Sequence, residues 1–247
     1  MQTQIYQQVE PINQQQHGKL RIKANLDASF AATIQSCPVT ELEFFPCSHS
    51  HPILFAKDPD GEVISLALMG LKRNSNVHVQ GEAGSWVGTT YMPAFLRRYP
   101  FIQVRDEEGE RSVVGMDMAC KAIDEAEGEA LFDEEGNATA FVEKAAKFLE
   151  SFDTGFARMK LFAKKLEELE LLEEAKIEWT LNEAKNSFGG FMKVDEKKLN
   201  GLDDETMLML VHNGYYKLIM AHLFSQANFQ NLIALSYPQE TQQKLDA

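Results

Sequence analysis

The chain has 247 residues, 44% of them hydrophobic, so it can bury a substantial core in one large domain or two small ones. Its net charge is −13, and the whole acidic excess follows residue 100, which excludes the concentrated positive field that nucleic acid or an anionic membrane surface requires. Three cysteines without paired spacing argue against a disulfide framework. The sequence also shows no readable signal peptide and no membrane-spanning apolar run. Together with the unpaired cysteines, this predicts a cytoplasmic protein without membrane insertion.

The first half of the chain predicts antiparallel strands. Residues 1–16 are rich in glutamine and predict a partly ordered arm. Three successive segments then place apolar runs on either side of turn residues, which is the pattern of β-hairpins. The strongest turn is Asp58-Pro59-Asp60-Gly61, and the other two tips fall at Gly81/Gly84 and Gly109. These hairpins favour a barrel-like or sandwich-like sheet over residues 17–120.

Two helices of different length follow. Between Pro93 and Pro100 a short helix is predicted, because proline is tolerated in the first turn of a helix and ends a helix when it recurs. From about residue 139 to 172 apolar residues recur at alternating steps of three and four, which predicts one long helix. Gly155 lies on this apolar stripe and either admits a close neighbour or marks a kink.

Beyond the long helix the pattern changes to a hairpin and then to shorter helices. Residues 176–195 alternate in polarity, with Gly189-Gly190 as the pivot or a bulge. Asp195 and Asp203 are placed to cap two helices, the second ending near His212. Gly214 is the predicted stop for that second helix.

A last helix is predicted over residues 215–235, with an apolar face whose middle is polar. The chain is therefore predicted to be α+β, with an antiparallel β-rich N-terminal half packed against a mainly helical C-terminal half. The halves are residues 17–120 and 121–247, or one integrated domain covers residues 17–237.

Several motifs resemble those of the SapC family of bacterial proteins. The most specific is Tyr91-Met92-Pro93-Ala94-Phe95-Leu96-Arg97-Arg98-Tyr99-Pro100-Phe101-Ile102. Similar segments are 52–55, 70–71, 131–136, 194–200 and 221–223, the last followed by Asn228. The resemblance runs from Pro11 to Leu235. It implies a part in surface-layer formation or transport, or in outer-membrane uptake, and it implies no particular reaction.

The stretch Cys47-Ser48-His49-Ser50-His51 raises the question of a metal site. On a strand, His49 and His51 would share a face and could reach one ion, whereas Cys47 would stand too far away without a bend. Zinc sites normally use three or four protein ligands, so a remote ligand would still be needed. We therefore expect a polar loop that leads into a strand and no metal, with His49 and His51 as the residues to test.

Arg97 and Arg98 form the most distinctive cationic pair. In a helix they point about 100° apart, so one can face the protein and the other the outside. One interpretation is that they make ion pairs with the acidic residues 101–135 and join the two halves. The other is that they bind an anionic group, with Tyr91 and Tyr99 beside them.

His222, Ser225 and Asn228 follow at steps of three on the last predicted helix. A histidine acts as a base toward a hydroxyl only within hydrogen-bond reach, and spacing of three in a helix rarely provides that geometry. A buried histidine bonded to the backbone or to Ser225 is the structural interpretation. A catalytic pair of His222 and Ser225, with Asn228 near a ligand, is the functional one.

No glycine-rich phosphate loop and no G-x-S-x-G elbow occurs, so we expect no cofactor. The preferred hypothesis is a non-catalytic accessory protein that binds a protein partner or a small anionic ligand. The alternative is an enzyme acting on a small anionic or carbohydrate substrate, with an arginine anchor and His222 as acid–base. An enzyme should place His222 and an arginine in one concave pocket, whereas a binding protein should bury His222 and expose an apolar patch.

Overall fold

The computed structural model describes residues 5–24, 27–81, 84–105 and 111–238. The helices are α1 (Gln14–His17), α2 (Phe44–Ser48), α3 (Ala94–Arg97), α4 (Ala140–Glu168), α5 (Glu196–Asn200), α6 (Asp204–His212), α7 (Tyr215–Ser225) and α8 (Asn228–Ser236). The strands are β1 (Val9–Pro11), β2 (Arg21–Ile22), β3 (Ser36–Pro38), β4 (Ile53–Lys57), β5 (Val63–Leu68), β6 (Val79–Gln80), β7 (Ser85–Trp86), β8 (Phe101–Arg105), β9 (Ser112–Asp117), β10 (Ile123–Asp124), β11 (Glu129–Ala130), β12 (Leu172–Leu181) and β13 (Ala184–Val194).

The described strands form four antiparallel sheets, and none closes into a barrel. The largest has the order β12-β13-β4-β5-β3, so it joins strands from both sides of residue 121. Its central connection pairs Met192 of β13 with Phe55 of β4. Two three-stranded sheets, β1-β9-β8 and β10-β2-β11, and the pair β6-β7 complete the arrangement. The α+β prediction, with antiparallel sheets in the first half and helices in the second, is confirmed.

The hairpin predicted at Asp58-Pro59-Asp60-Gly61 joins β4 and β5. Its turn is closed by Asp58, whose Oδ1 accepts hydrogen bonds from the Asp60 and Glu62 N–H groups at 3.0 Å each. The second predicted hairpin is the short pair β6-β7. The third is β8-β9, and its predicted tip at Gly109 lies outside the described residues.

The long helix is confirmed as α4, which begins after Thr139 and ends at Glu168. It stops before residue 172 because Glu170 adopts a positive φ of 53° and Leu172 already begins β12. Gly155 is the site of a close neighbour: a Cβ built there would lie 3.1 Å from Thr40 Cβ.

The β12-β13 hairpin turns at Asn182-Glu183, where both residues have positive φ. Ala175 pairs with Phe191 while Lys176 pairs with Gly189, so Gly190 is the extra residue of a β-bulge. Of the two roles predicted for Gly189-Gly190, the bulge is confirmed and the pivot is wrong.

The predicted caps and stop of the next two helices are confirmed. Asp195 Oδ1 accepts hydrogen bonds from the Lys197 and Lys198 N–H groups, and Asp203 Oδ1 accepts one from the Thr206 N–H. Helix α6 ends at His212, and Gly214 follows with a left-handed φ of 73°.

The single last helix predicted over residues 215–235 is wrong, because α7 and α8 are separate. At the break, Ser225 Oγ and Gln226 Nε2 donate hydrogen bonds to the His222 carbonyl at 2.6 and 3.1 Å. A side chain that binds a preceding carbonyl competes with the helical hydrogen-bond ladder. The α-helical hydrogen-bond pattern is therefore interrupted at Gln226-Ala227, where the backbone N–H groups bond to carbonyls three residues earlier.

The main core lies between the five-stranded sheet, α4 and α7. The Phe162 ring of α4 lies 6.0 Å from the Phe44 ring, 6.1 Å from the Phe55 ring and 5.2 Å from the Tyr215 ring. A second core lies between the smaller sheets and the start of α4, where the Phe101 and Phe141 rings are 5.6 Å apart. Within the described part of the chain, no helix combines the length and apolarity needed to cross a membrane.

Candidate functional site

Arg97 is held by a buried carboxylate that the sequence patterns did not single out. Glu43 ends the 3-10 helix Glu41–Glu43 and is only 3% exposed. Its carboxylate accepts hydrogen bonds from the Tyr91 hydroxyl at 2.9 Å and from the Ala94 N–H, and it lies 3.6 Å from Arg97 Nη2. Because a buried charge needs partners, Glu43 fixes the entry into α3.

The other Arg97 donors also serve this cluster. Its Nε donates to the Met92 carbonyl at 2.9 Å and its Nη2 to the Tyr91 hydroxyl at 2.7 Å. Burial, followed by the charge of Glu43, raises the pKa of Tyr91. The predicted pairing of Arg97 with the acidic residues 101–135 is wrong, because the 3-10 helix brings Glu43 against α3 instead.

Arg98 and Tyr99 enter different surroundings. The Arg98 guanidinium carbon lies 4.4 Å from the centre of the Phe95 ring and 4.7 Å from that of Phe152 in α4. Arg97 contacts α4 as well, 5.3 Å from the Phe148 ring centre, so both arginines lie against the long helix. Tyr99 is buried, and its hydroxyl lies 3.2 Å from Asp117 Oδ2, to which it donates a hydrogen bond.

His222 is 0% exposed, and backbone groups use both of its ring nitrogens. Nε2 accepts a hydrogen bond from the Val194 N–H at 3.1 Å, so the ring proton is on Nδ1. The Nδ1–H group donates a hydrogen bond to the Ile53 carbonyl at 2.9 Å. Burial lowers the pKa of His222 to about 4. This neutral imidazole connects β4 and β13 to α7.

Ser225 and Asn228 continue this connection. Ser225 Oγ accepts a hydrogen bond from the Ile53 N–H at 2.9 Å. Asn228 Nδ2 donates to the Ser48 carbonyl at 2.6 Å and to the His51 carbonyl at 3.3 Å. The three polar residues therefore hold α7 and α8 to the segment that leads into β4, and Ser225 does not bond to the His222 ring.

Residues 48–51 lie between Tyr91 and α8, and they form hydrogen bonds with both. The Tyr91 N–H donates to Ser50 Oγ at 3.1 Å, and His51 Nε2 lies 2.6 Å from the Tyr91 carbonyl. Asn228 approaches the same segment from α8. The predicted ligand residues Tyr91 and Asn228 are thus linked through this segment.

The strand geometry that a metal site at His49 and His51 would require is absent, because Cys47 lies in α2 and residues 49–51 form the turn that leads into β4, in line with the expected loop before a strand. His49 is exposed whereas His51 is buried, so the pair does not share a face. The sequence patterns also missed His78, whose ring centre lies 4.5 Å from that of His51. Among the described residues, no group of three or more histidine, cysteine or acidic side chains is placed to hold a metal ion.

An open groove of about 400 Å³ lies between the 3-10 helix Glu41–Glu43, α4 and α7. We call it the leucine groove. Leu42 and Leu161 line it and are 66% and 61% exposed, while Leu218 beside them is buried. Arg158 and Lys217 also line the groove, and Arg158 is 3.0 Å from Glu41.

The sequence contained a signal for this groove that the periodicity argument left unused. Met159 and Phe162 lie on the buried stripe of α4, and Leu161 falls between them and off that stripe. An exposed leucine out of phase with a helix's buried face has no core to fill. Two further large apolar side chains are exposed, Phe45 on α2 and Phe224 on α7.

The structure is that of an α+β protein in which backbone groups enclose His222 and in which the leucine groove combines two exposed leucines with charged and polar side chains. The family model for SapC matches residues 12–232. The chain therefore belongs to the SapC family. Comparisons with curated proteins and with solved structures gave no match.

Proposed function

We propose that this chain is a non-catalytic binding protein whose protein partner inserts an apolar side chain, flanked by an acidic group, into the leucine groove. The observation that carries the proposal is the pair of opposed leucines, Leu42 and Leu161, left about two-thirds exposed at a formed concavity. Exposed apolar surface rimmed by polar groups is typical of interaction sites. The proposed setting, a bacterial surface-layer or outer-membrane uptake system, rests on the family resemblance.

The groove supplies an anchor and part of the affinity. Covering both leucines is worth about 2–4 kcal/mol, at about 1.5–3 kcal/mol for each fully buried leucine. Association costs about 4–15 kcal/mol in lost freedom, so the partner must touch more surface. Phe45 on α2 is 47% exposed and Phe224 on α7 is 72% exposed, and these two helices pack against each other. We propose that the two phenylalanine side chains provide the additional contact surface.

Charge at the rim supports an acidic group on the partner. Lys217 is exposed, and Arg158 shares its charge with Glu41 at 3.0 Å. The net charge of −13 makes the protein as a whole repel acidic proteins. The cationic side chains at the groove therefore favour the orientation in which an acidic group of the partner faces the groove.

The state of His222 supports a binding function over the enzymatic alternative. A general base must lie within hydrogen-bond reach of the proton that it removes. His222 has no exposed surface and both nitrogens are engaged by the Val194 and Ile53 backbone. Its geometry is that of a structural link.

Photo-crosslinking in the native cell tests the proposal. A photoreactive amino acid is placed at Leu42 or Leu161, with Glu183 in the exposed β12-β13 turn as the matched control, and adducts are identified by mass spectrometry. We expect one shared partner from the two groove positions and none from Glu183. No adduct at either leucine, or the same adduct from Glu183, would contradict the proposal.

A further inference from the structure

A second surface, distinct from the leucine groove, surrounds Arg98. Three aromatic rings enclose its guanidinium: the carbon lies 4.4 Å from the Phe95 ring centre, 4.7 Å from Phe152 and 5.8 Å from Tyr6. Arg98 itself stays partly exposed. The charge is therefore set in apolar surroundings while one side remains open to solvent.

Arg98 has no carboxylate partner within the described part of the chain, in contrast to Arg97 with Glu43. Its Nε–H is buried without an acceptor, and burial raises the pKa of Tyr6 to about 12 against the opposing effect of the Arg98 charge. Asp153 on α4 interacts electrostatically with the Arg98 guanidinium but does not form an ion pair with it. Burial raises the pKa of Asp153 and Arg98 opposes that rise.

A guanidinium in such surroundings has unused capacity for an anion. Its planar fork matches a carboxylate, and charge-assisted hydrogen bonds are stronger where aromatic rings exclude water. Ring faces add attraction for the cation without neutralising it. The Phe156 ring is stacked on Phe152 at 6.1 Å and is partly exposed, so apolar surface continues beside the charge.

We propose that Arg98 is the anchor of a binding site for a small carboxylate with an apolar body. The carboxylate pairs with the open edge of the guanidinium, and the apolar body lies against Phe95 and Phe156. The nearby Asp153 carboxylate is a competing negative charge. This site does not depend on the leucine groove, so either proposal can fail without the other.

Titration calorimetry with sodium benzoate tests the site, with acetate as the carboxylate without a ring and chloride at matched ionic strength as the blank. We expect saturable binding of benzoate, weaker binding of acetate, and roughly tenfold or greater loss of benzoate affinity in Arg98→Gln. Arg105→Gln, which removes an exposed arginine from β8, is the matched control and should bind benzoate normally.

A second variant keeps the proposal testable even if Arg98→Gln fails to fold. Asp153→Asn removes an exposed like charge and should tighten benzoate binding by about two- to threefold. Leu161→Asp in the leucine groove should leave the benzoate affinity unchanged. The proposal is overturned if benzoate does not saturate the unaltered chain, if folded Arg98→Gln binds it equally well, or if Asp153→Asn does not tighten it.

Discussion

We expect acid to destabilise the protein through its buried histidines, and His78→Phe to remove a defined part of that effect. His78 is 1% exposed, its ring centre lies 5.6 Å from that of Trp86, and neither ring nitrogen has a hydrogen-bond partner. Burial, with a further contribution from His51, lowers the pKa of His78 to about 3. The folded chain therefore keeps this ring neutral at pH 5, whereas the unfolded chain titrates near about 6.5.

The magnitude follows from the difference in bound protons. Below about pH 6.5 the unfolded chain binds a proton that the folded chain does not. The free energy of unfolding therefore decreases as the pH is lowered, and it levels off only near the pKa of the folded state. At pH 5, the difference from 6.5 corresponds to about 2 kcal/mol for one histidine. His222, whose pKa is lowered to about 4, adds a similar amount.

Urea unfolding at pH 7.5 and pH 5.0 measures this loss. Phenylalanine keeps the shape of the ring and removes both unpaired nitrogens, so the loss of unfolding free energy between the two pH values should shrink by about 2 kcal/mol in His78→Phe. His212→Gln, at an exposed histidine of α6, is the control and should lose as much as the unaltered chain. Equal losses in His78→Phe and the unaltered chain would refute the reasoning.

Three further predictions concern the free energy of unfolding measured in urea. Glu43→Gln removes the buried negative charge that accepts a hydrogen bond from Tyr91 and pairs with Arg97. It should lower the free energy of unfolding by about 3 kcal/mol, and a loss below about 1 kcal/mol would contradict a stabilising role for the Glu43 charge. Gly155→Ala places a Cβ 3.1 Å from Thr40, so it should destabilise by about 1–2 kcal/mol despite the better helix propensity of alanine, and a gain would contradict the close packing. Leu161→Asp should change stability by less than about 0.5 kcal/mol, since its side chain is 61% exposed; a larger loss would show that Leu161 supports the core.

Local rules predicted the elements whose signals lie within a few residues. The turn at Asp58, the cap at Asp203 and the apolar stripe of α4 each depend on contacts within one turn or one helix face, so their residues identify them directly. The bulge at Gly190 was one of two possibilities, because choosing between them requires the strand register, which a single strand does not contain.

The elements that sequence patterns misassigned depend on distant partners. The break between α7 and α8 arises where Ser225 and Gln226 bond to the His222 carbonyl and to Ile53, which is about 170 residues earlier in the chain. Tertiary contacts therefore decided where α7 ends.

The candidate site was predictable in part for the same reason. The Arg97–Arg98 motif pointed to the segment that lies against α4, yet the partner Glu43 is 54 positions away from Arg97 and could not be paired with it from spacing. The leucine groove brings together three elements that are separate in the chain. Only the off-stripe position of Leu161 could have indicated it from sequence.

The most direct test of the binding function is the yield of the Leu42 photo-crosslink measured in two backgrounds, the otherwise unaltered chain and Leu161→Asp. Leu161 faces the same groove and is not part of the core, so a charged side chain there should block an apolar partner without unfolding the protein. We predict that the yield falls at least about tenfold while the folded fraction is unchanged. Equal yields in the two backgrounds would contradict a partner seated in the leucine groove.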